Sequence, residues 1–186
     1  MEIQNSKPDI VSTRVGVVLA DLGKLTVIAL KYLIVHLNTL QHCFEFEILD
    51  VDTENDPLLN LLRDGEIVDR NKCRDMLEDF AARTDAQVAR EQHDFDLAET
   101  TFPQGLIVIT RARFSDGHLG LKREEVQIQA LGNWGQSMAP PSIFEFIIAR
   151  LLRQAASFAA PSVSKSVHLG TKGCLFDFTA DLGEAR

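Results

Sequence analysis

Near the end of the chain, the stretch SVHLGTKGCLFDF brings His168, Lys172, Cys174 and Asp177 close together in sequence. Imidazole and thiolate are the side chains that hold zinc, and a carboxylate near an imidazole is a familiar acid–base pairing. A catalytic zinc takes three protein ligands, so one histidine does not make such a site. Two readings stay open. The segment is part of a metal site, or it is a loop whose histidine hydrogen-bonds the backbone ahead of a strand, CLFDF. In the second reading Leu175, Phe176 and Phe178 pack, while Asp177 faces out or caps a turn. His168, Lys172 and Asp177 are candidate binding residues. Trp134 joins them: it is the only tryptophan and stands in the glycine-flanked loop GNWGQ. It lines a ligand cleft or packs over a sheet edge.

Other polar clusters lack the spacing that chemistry demands. In VGVVLADLGKLT, Gly16 lies too far before Gly23 for a phosphate loop, and Leu25 stands where a hydroxyl is required. A dinucleotide fingerprint fails as well, because the turn holds one glycine. The acidic run DVDTENDP alternates like a calcium loop. Its sixth and twelfth places are Asn55 and Leu61, where glycine and glutamate are needed. His93, beside Asp94 and Asp96, has no neighbouring histidine or cysteine and reads as part of a surface loop. No G-x-S-x-G elbow is present.

Charge and cysteine usage exclude further classes. The formal net charge is −8, and the scattered Arg111, Arg113, Lys122 and Arg123 read as a solvated hairpin, so nucleic acid is not an expected partner. Cys43, Cys73 and Cys174 are odd in number and far apart, which predicts no disulfide framework and a reducing, cytoplasmic setting. Cys43 and Cys73 read as buried thiols. The start, MEIQNSKPDIVSTR, lacks a signal-peptide core. The apolar stretch from Leu25 to Leu40 is interrupted by Lys31, His36 and Asn38 and is too short to span a membrane.

The elements that must position these residues follow from periodicity. RVGVVLA is a β-branched strand, and Leu30, Leu33, Ile34, Leu37 and Leu40 recur at helical spacing. FEFEILDV alternates as a second strand, which makes a βαβ unit with parallel strands. PLLNLLRDG and DRNKCRDMLEDFAARTDAQVAREQ are helices, and HDFDLAETTFPQG is a loop. LIVITRARF is one strong strand, SDGHLG a turn, and EEVQIQALG another strand. SIFEFIIARLLRQAASFAA is a helix capped by Ser142, with Glu145 at capping-box spacing and Pro161 beyond its end. The 186 residues show no repeat or linker, so the expectation is one α/β domain, with a mixed sheet, a βαβ start and helices packed on it. Residues 1–13 are expected to be disordered. TADLGEA reads as the start of a further helix, from which the natural chain is expected to continue past Arg186 as a larger protein.

The order strand, hairpin, strand, helix, then HLGTKGCLFDF, resembles the zincin layout of the archaemetzincins. That family has the motif H-E-x-x-H-x-x-G-x-x-H-C, then four residues, then C-x-M, with a further C-x-x-C downstream. Its histidines bind catalytic zinc, its glutamate is the general base, and its four cysteines bind a structural zinc. By this resemblance His168 falls at the third histidine, Cys174 at the second cysteine, and Phe176 at the methionine. Leu169 takes the first cysteine position. Phe158 and Ser162 stand at the other two histidines, Ala159 at the glutamate and Lys165 at the glycine.

The resemblance thus implies a degenerate, non-catalytic member that works by binding a protein partner or small ligand, as a sensor or adaptor module. No cofactor is expected, and zinc enters only if a C-x-x-C beyond Arg186 joins Cys174. A small-ligand or nucleotide-binding domain, with its ligand near DLGK at the strand ends, is the alternative. A hydrolase using His168, Lys172 and Asp177 is the third. Oligomeric state is open.

Overall fold

β-branched residues open the sheet as expected. In the computed structural model, which describes residues 12–96, 101–132, 142–160, 162, 168–169 and 177–178, β1 (Thr13–Ala20) leads through α1 (Lys24–Leu40) to β2 (Phe44–Ile48). β1 and β2 are parallel, with Thr13 beside Phe44 and Val17 beside Ile48. Thr13 is thus paired, although it falls in the stretch expected to be disordered. β2 stops at Ile48, before the acidic loop.

α2 (Pro57–Leu61) starts where Asp56 accepts hydrogen bonds from the Leu58 and Leu59 amides, with Pro57 in the first turn. β3 (Ile67–Val68) follows, then α3 (Arg70–Asp94). α3 runs through His93, which sequence placed in a loop. The Phe95 amide bonds to the Glu91 carbonyl at 3.1 Å, closing the last turn beyond His93.

LIVITRARF is not one strand. β4 (Gly105–Thr110) lies in the main sheet, whereas β5 (Arg113–Phe114) pairs in parallel with β3. Thr110 makes the break: its hydroxyl donates to the Leu62 carbonyl and accepts from the Ala112 amide at 3.1 Å, drawing the chain toward α2. SDGHLG then joins β5 to β6 (Gly120–Arg123), and Glu124, at φ 51°, turns β6 into β7 (Val126–Ala130). α4 (Ile143–Ala159) has the predicted capping box: the Ser142 amide donates to Glu145 at 2.7 Å and the Glu145 amide to the Ser142 hydroxyl at 3.3 Å. β8 (His168–Leu169) and β9 (Asp177–Phe178) form a separate parallel pair.

The fold is mixed α/β. The five-stranded sheet runs β2-β1-β4-β7-β6, parallel throughout except for β6 at its edge. All of β4 is buried, as a central parallel strand covered on both faces must be. On one face Val18, Val108 and Ile128 pack on Leu58 and Leu62 from α2 and its end, and on Cys73, Leu77 and Phe80 of α3. On the other, Val15, Val17, Ile107 and Ile109 pack on Leu30 and Ile34 of α1 and Ile147 and Leu151 of α4. Burying each of these large side chains contributes roughly 1.5–3 kcal/mol before chain entropy is subtracted. Among the described residues no helix is long and apolar enough to cross a membrane.

Candidate functional site

The residues singled out by sequence are only partly assembled. His168 and Asp177 are register partners in the β8–β9 ladder, so their backbones lie side by side. Trp134, Lys172 and Cys174 lie outside the described residues, as do 1–11 and 179–186. Cys73 is buried in α3, and loss of water pushes its thiol up to about 11, helped by the charge of Asp69. Cys43 is exposed rather than buried, because it sits in the turn between α1 and β2. There the Gln41 side chain accepts from the Cys43 and Phe44 amides at 2.9 and 2.8 Å.

The acidic loop is occupied with itself. The Asn55 side-chain amide bonds to Asp52 at 2.7 Å, and the Glu54 and Asn55 backbone amides add to it. These bonds hold the Asp52 carboxyl below its ordinary value. The four basic residues read as one solvated hairpin are dispersed instead. Arg111 pairs with Asp64 at 3.6 Å, and Arg113 lies on β5. Arg123 reaches across to α3, donating to the Arg74 carbonyl at 3.0 Å and Glu78 at 3.2 Å. Only Lys122 and Arg123 belong to the hairpin.

A polar site that sequence did not single out lies between this hairpin and α4. In β7, Val126, Ile128 and Ala130 point into the core shared with α3, so Gln127 and Gln129 point the other way. Both are buried, at 3% and 2% exposure. Across the ladder Lys122 stands beside Gln127 and Gly120 beside Gln129. α4 supplies the rest. Arg150 Nε donates to Gln129 Oε1 at 2.9 Å, while Gln129 Nε2 donates to the Leu119 carbonyl at 2.7 Å. Lys122 Nζ donates to the Ser157 hydroxyl at 2.8 Å and lies 4.7 Å from the centre of the Phe158 ring. Gln127 Oε1 is buried without a partner.

The site is cationic at its base. Burial pushes the Arg150 guanidinium down to about 10, and the charge of Arg153 acts in the same direction. Burial also lowers the Lys122 ammonium. None of the ion pairs among the described residues involves Lys122 or Arg150. A sequence signal did exist: Ile147, Arg150, Leu151, Gln154 and Phe158 follow helical spacing, so the first polar member interrupts an apolar stripe.

The zinc positions implied by the resemblance are testable on α4. Phe158, at the first histidine position, is seated against β4, where a side chain on Gly105 would collide with its ring. Ala159 ends the helix, with Ala160 as its C-cap, and exposed Ser162 follows beyond Pro161. Two zinc histidines on one helical face require the helix to continue between them, and it does not. These residues do not fit a zinc ion.

A concavity lies beyond the C-terminal end of β2. This cleft of about 290 Å³ is lined by residues including Val51, Asp56, Arg83, Thr84, Gln87 and Arg90. Buried Asp56 caps α2 and also receives Arg83, whose Nε and Nη2 are both 2.8 Å from Oδ2. Gln87 holds the Asp50 carbonyl at 2.9 Å. Arg90 donates from Nε to its own helix, at the Ala86 carbonyl.

No protein-family model matches this chain, and searches of curated proteins and of solved structures find no match either.

Proposed function

We propose that this chain is a non-catalytic binding domain of metzincin-like layout, acting as a sensor or adaptor module through the face between α4 and the β6–β7 hairpin. The succession of β4, hairpin and α4, on a mixed sheet with its antiparallel strand at the edge, supports the layout. One observation carries the non-catalytic reading. Phe158 occupies the first ligand position, packed on β4 with the Lys122 ammonium over its ring. A phenyl ring has no lone pair to give a metal, and a resident cation repels a divalent one. What the face offers instead is recognition by charge and hydrogen bonds.

Elemental analysis of the purified protein tests this. Far less than one zinc per chain, with no peptidase turnover, is expected. Stoichiometric zinc whose removal by chelation abolishes a peptidase activity would overturn it.

The cleft beside α3 favours a second reading, a small-ligand or nucleotide site at the C-terminal ends of the parallel strands, where open α/β sheets place ligands. Thermal shift against a nucleotide panel discriminates. A concentration-dependent rise with one nucleotide, lost in Arg90→Ala, would favour this reading through linkage.

A further inference from the structure

α1 carries apolar residues on two opposite faces. Leu30, Ile34 and Leu37 pack into the core beneath it. Ile28, Tyr32 and Val35 recur on the other side, in steps of four and three residues, and are 55%, 70% and 59% exposed. The same steps set the apolar seam along which one helix lies on another. Exposed apolar residues scattered singly are ordinary, but three in register on one helix make a strip. Tyr32 stands at its middle, stacked on His36 with the ring centres 6.2 Å apart. The strip is flanked by Lys24 and Lys31, both exposed and in none of the described ion pairs. No acid occurs from Lys24 to Leu40, although the chain as a whole has a net charge of −8. Asp21, just ahead of the helix, is turned to the Asp64 amide at 2.9 Å. Asp50 lines a small hollow with Lys31 but forms no described ion pair with it.

We propose that this outer face of α1 docks an acidic amphipathic helix of another protein. The partner's apolar residues lie on Ile28, Tyr32 and Val35, and its carboxylates stand beside Lys24 and Lys31. The surface shares no residue with the face between α4 and the hairpin and does not depend on it. Helix-on-helix recognition uses apolar anchors at this spacing, and an aromatic anchor at the centre of a strip is where binding energy concentrates. Charge decides the occupant. A second copy of this chain brings the same lysines and histidine to the seam and no carboxylate from α1, so like charges meet. An anionic membrane attracts the two lysines by only about 1 kcal/mol each, and it repels the acidic remainder of the chain. A separate helix with glutamates along its apolar stripe matches the strip and the lysines together.

The probe is a synthetic peptide of about three heptads, with leucine at its a and d positions and glutamate at e and g. Titrated into the ¹⁵N-labelled full chain, it should give saturable NMR shifts centred on the α1 amides. Tyr32→Glu should weaken binding about tenfold. Lys24→Glu and Lys31→Glu should each weaken it about threefold, and together they should favour a probe carrying lysine in place of glutamate. Phe95→Glu, at an exposed phenylalanine beyond the end of α3, should change nothing. All four positions are exposed, so these variants keep the fold, which circular dichroism verifies. Three results would overturn the proposal: no saturable shifts, equal binding of the glutamate and lysine probes by the native chain, or equal losses in Phe95→Glu and Tyr32→Glu. Sedimentation of the chain alone and flotation with phosphatidylserine vesicles cover the other occupants. If the probe goes unbound while a dimer or vesicle binding is abolished by Tyr32→Glu, the face belongs to a second copy or to a membrane, and the proposal fails. Zinc content and nucleotide stabilisation are read separately and bear on none of these outcomes.

Discussion

The two faces of β7 are built on opposite terms. Toward α3 the strand presents Val126, Ile128 and Ala130 to a dry core that includes Leu77 and Phe80. Toward α4 it presents Gln127 and Gln129, met by Arg150, with Lys122 alongside on β6. Both faces are buried, so exposure to water does not explain the difference. The α3 face contributes stability by excluding water from apolar surface. The α4 face spends some of that stability on desolvated polar groups, one of them without a partner.

The comparison is open to direct attack. The largest effect belongs on the dry face: Phe80, fully buried in α3, should cost about 3–5 kcal/mol when cut to alanine. Urea unfolding measures it, and a loss below about 1 kcal/mol would mean that this face is not the tightly packed one. Gln127→Leu, on the polar face, should leave stability unchanged or raise it by about 1 kcal/mol, because it removes an orphaned acceptor and keeps the volume. A loss as large as that of Phe80→Ala would erase the contrast between the faces.

A smaller effect sharpens the picture of α4 itself. The capping box holds the exposed Glu145 carboxyl below its ordinary value, chiefly through its hydrogen bond with Ser142. The folded value is depressed, so the contribution of this charge is present above the ordinary carboxylate value and is lost as pH falls through the folded one. The native chain should therefore exceed Glu145→Gln in stability at neutral pH. That gap should close in acid, as read from unfolding curves at several pH values. A gap independent of pH would remove the charge from the account of the cap.

Much of the frame was legible in sequence. β-branched runs marked β1 and β4, leucine spacing marked α1, and Ser142 with Glu145 marked the start of α4. Each of these signals acts between neighbours in the chain. The break at Thr110 was not legible, because its hydroxyl answers a carbonyl on Leu62, far back in sequence. His93 was placed in a loop by its polar surroundings, yet α3 extends through it. Cys43 was expected inside from its amphipathic surroundings, and the turn around Gln41 leaves it outside.

The same division governs the site. Among the residues first singled out, the structure brings His168 beside Asp177 in one ladder, and leaves Trp134, Lys172 and Cys174 outside its description. The residues that do gather are a glutamine pair, a lysine and an arginine, none belonging to a recognisable motif. By itself the sequence determined the α/β class and the βαβ start, since these depend on residue type and spacing along one chain. Only the tertiary structure decided that α4 lies over Gln127 and Gln129. That packing turns an ordinary alternating strand and a lone arginine into a polar cluster with buried glutamines, because desolvation depends on what covers a side chain and not on its neighbours in sequence.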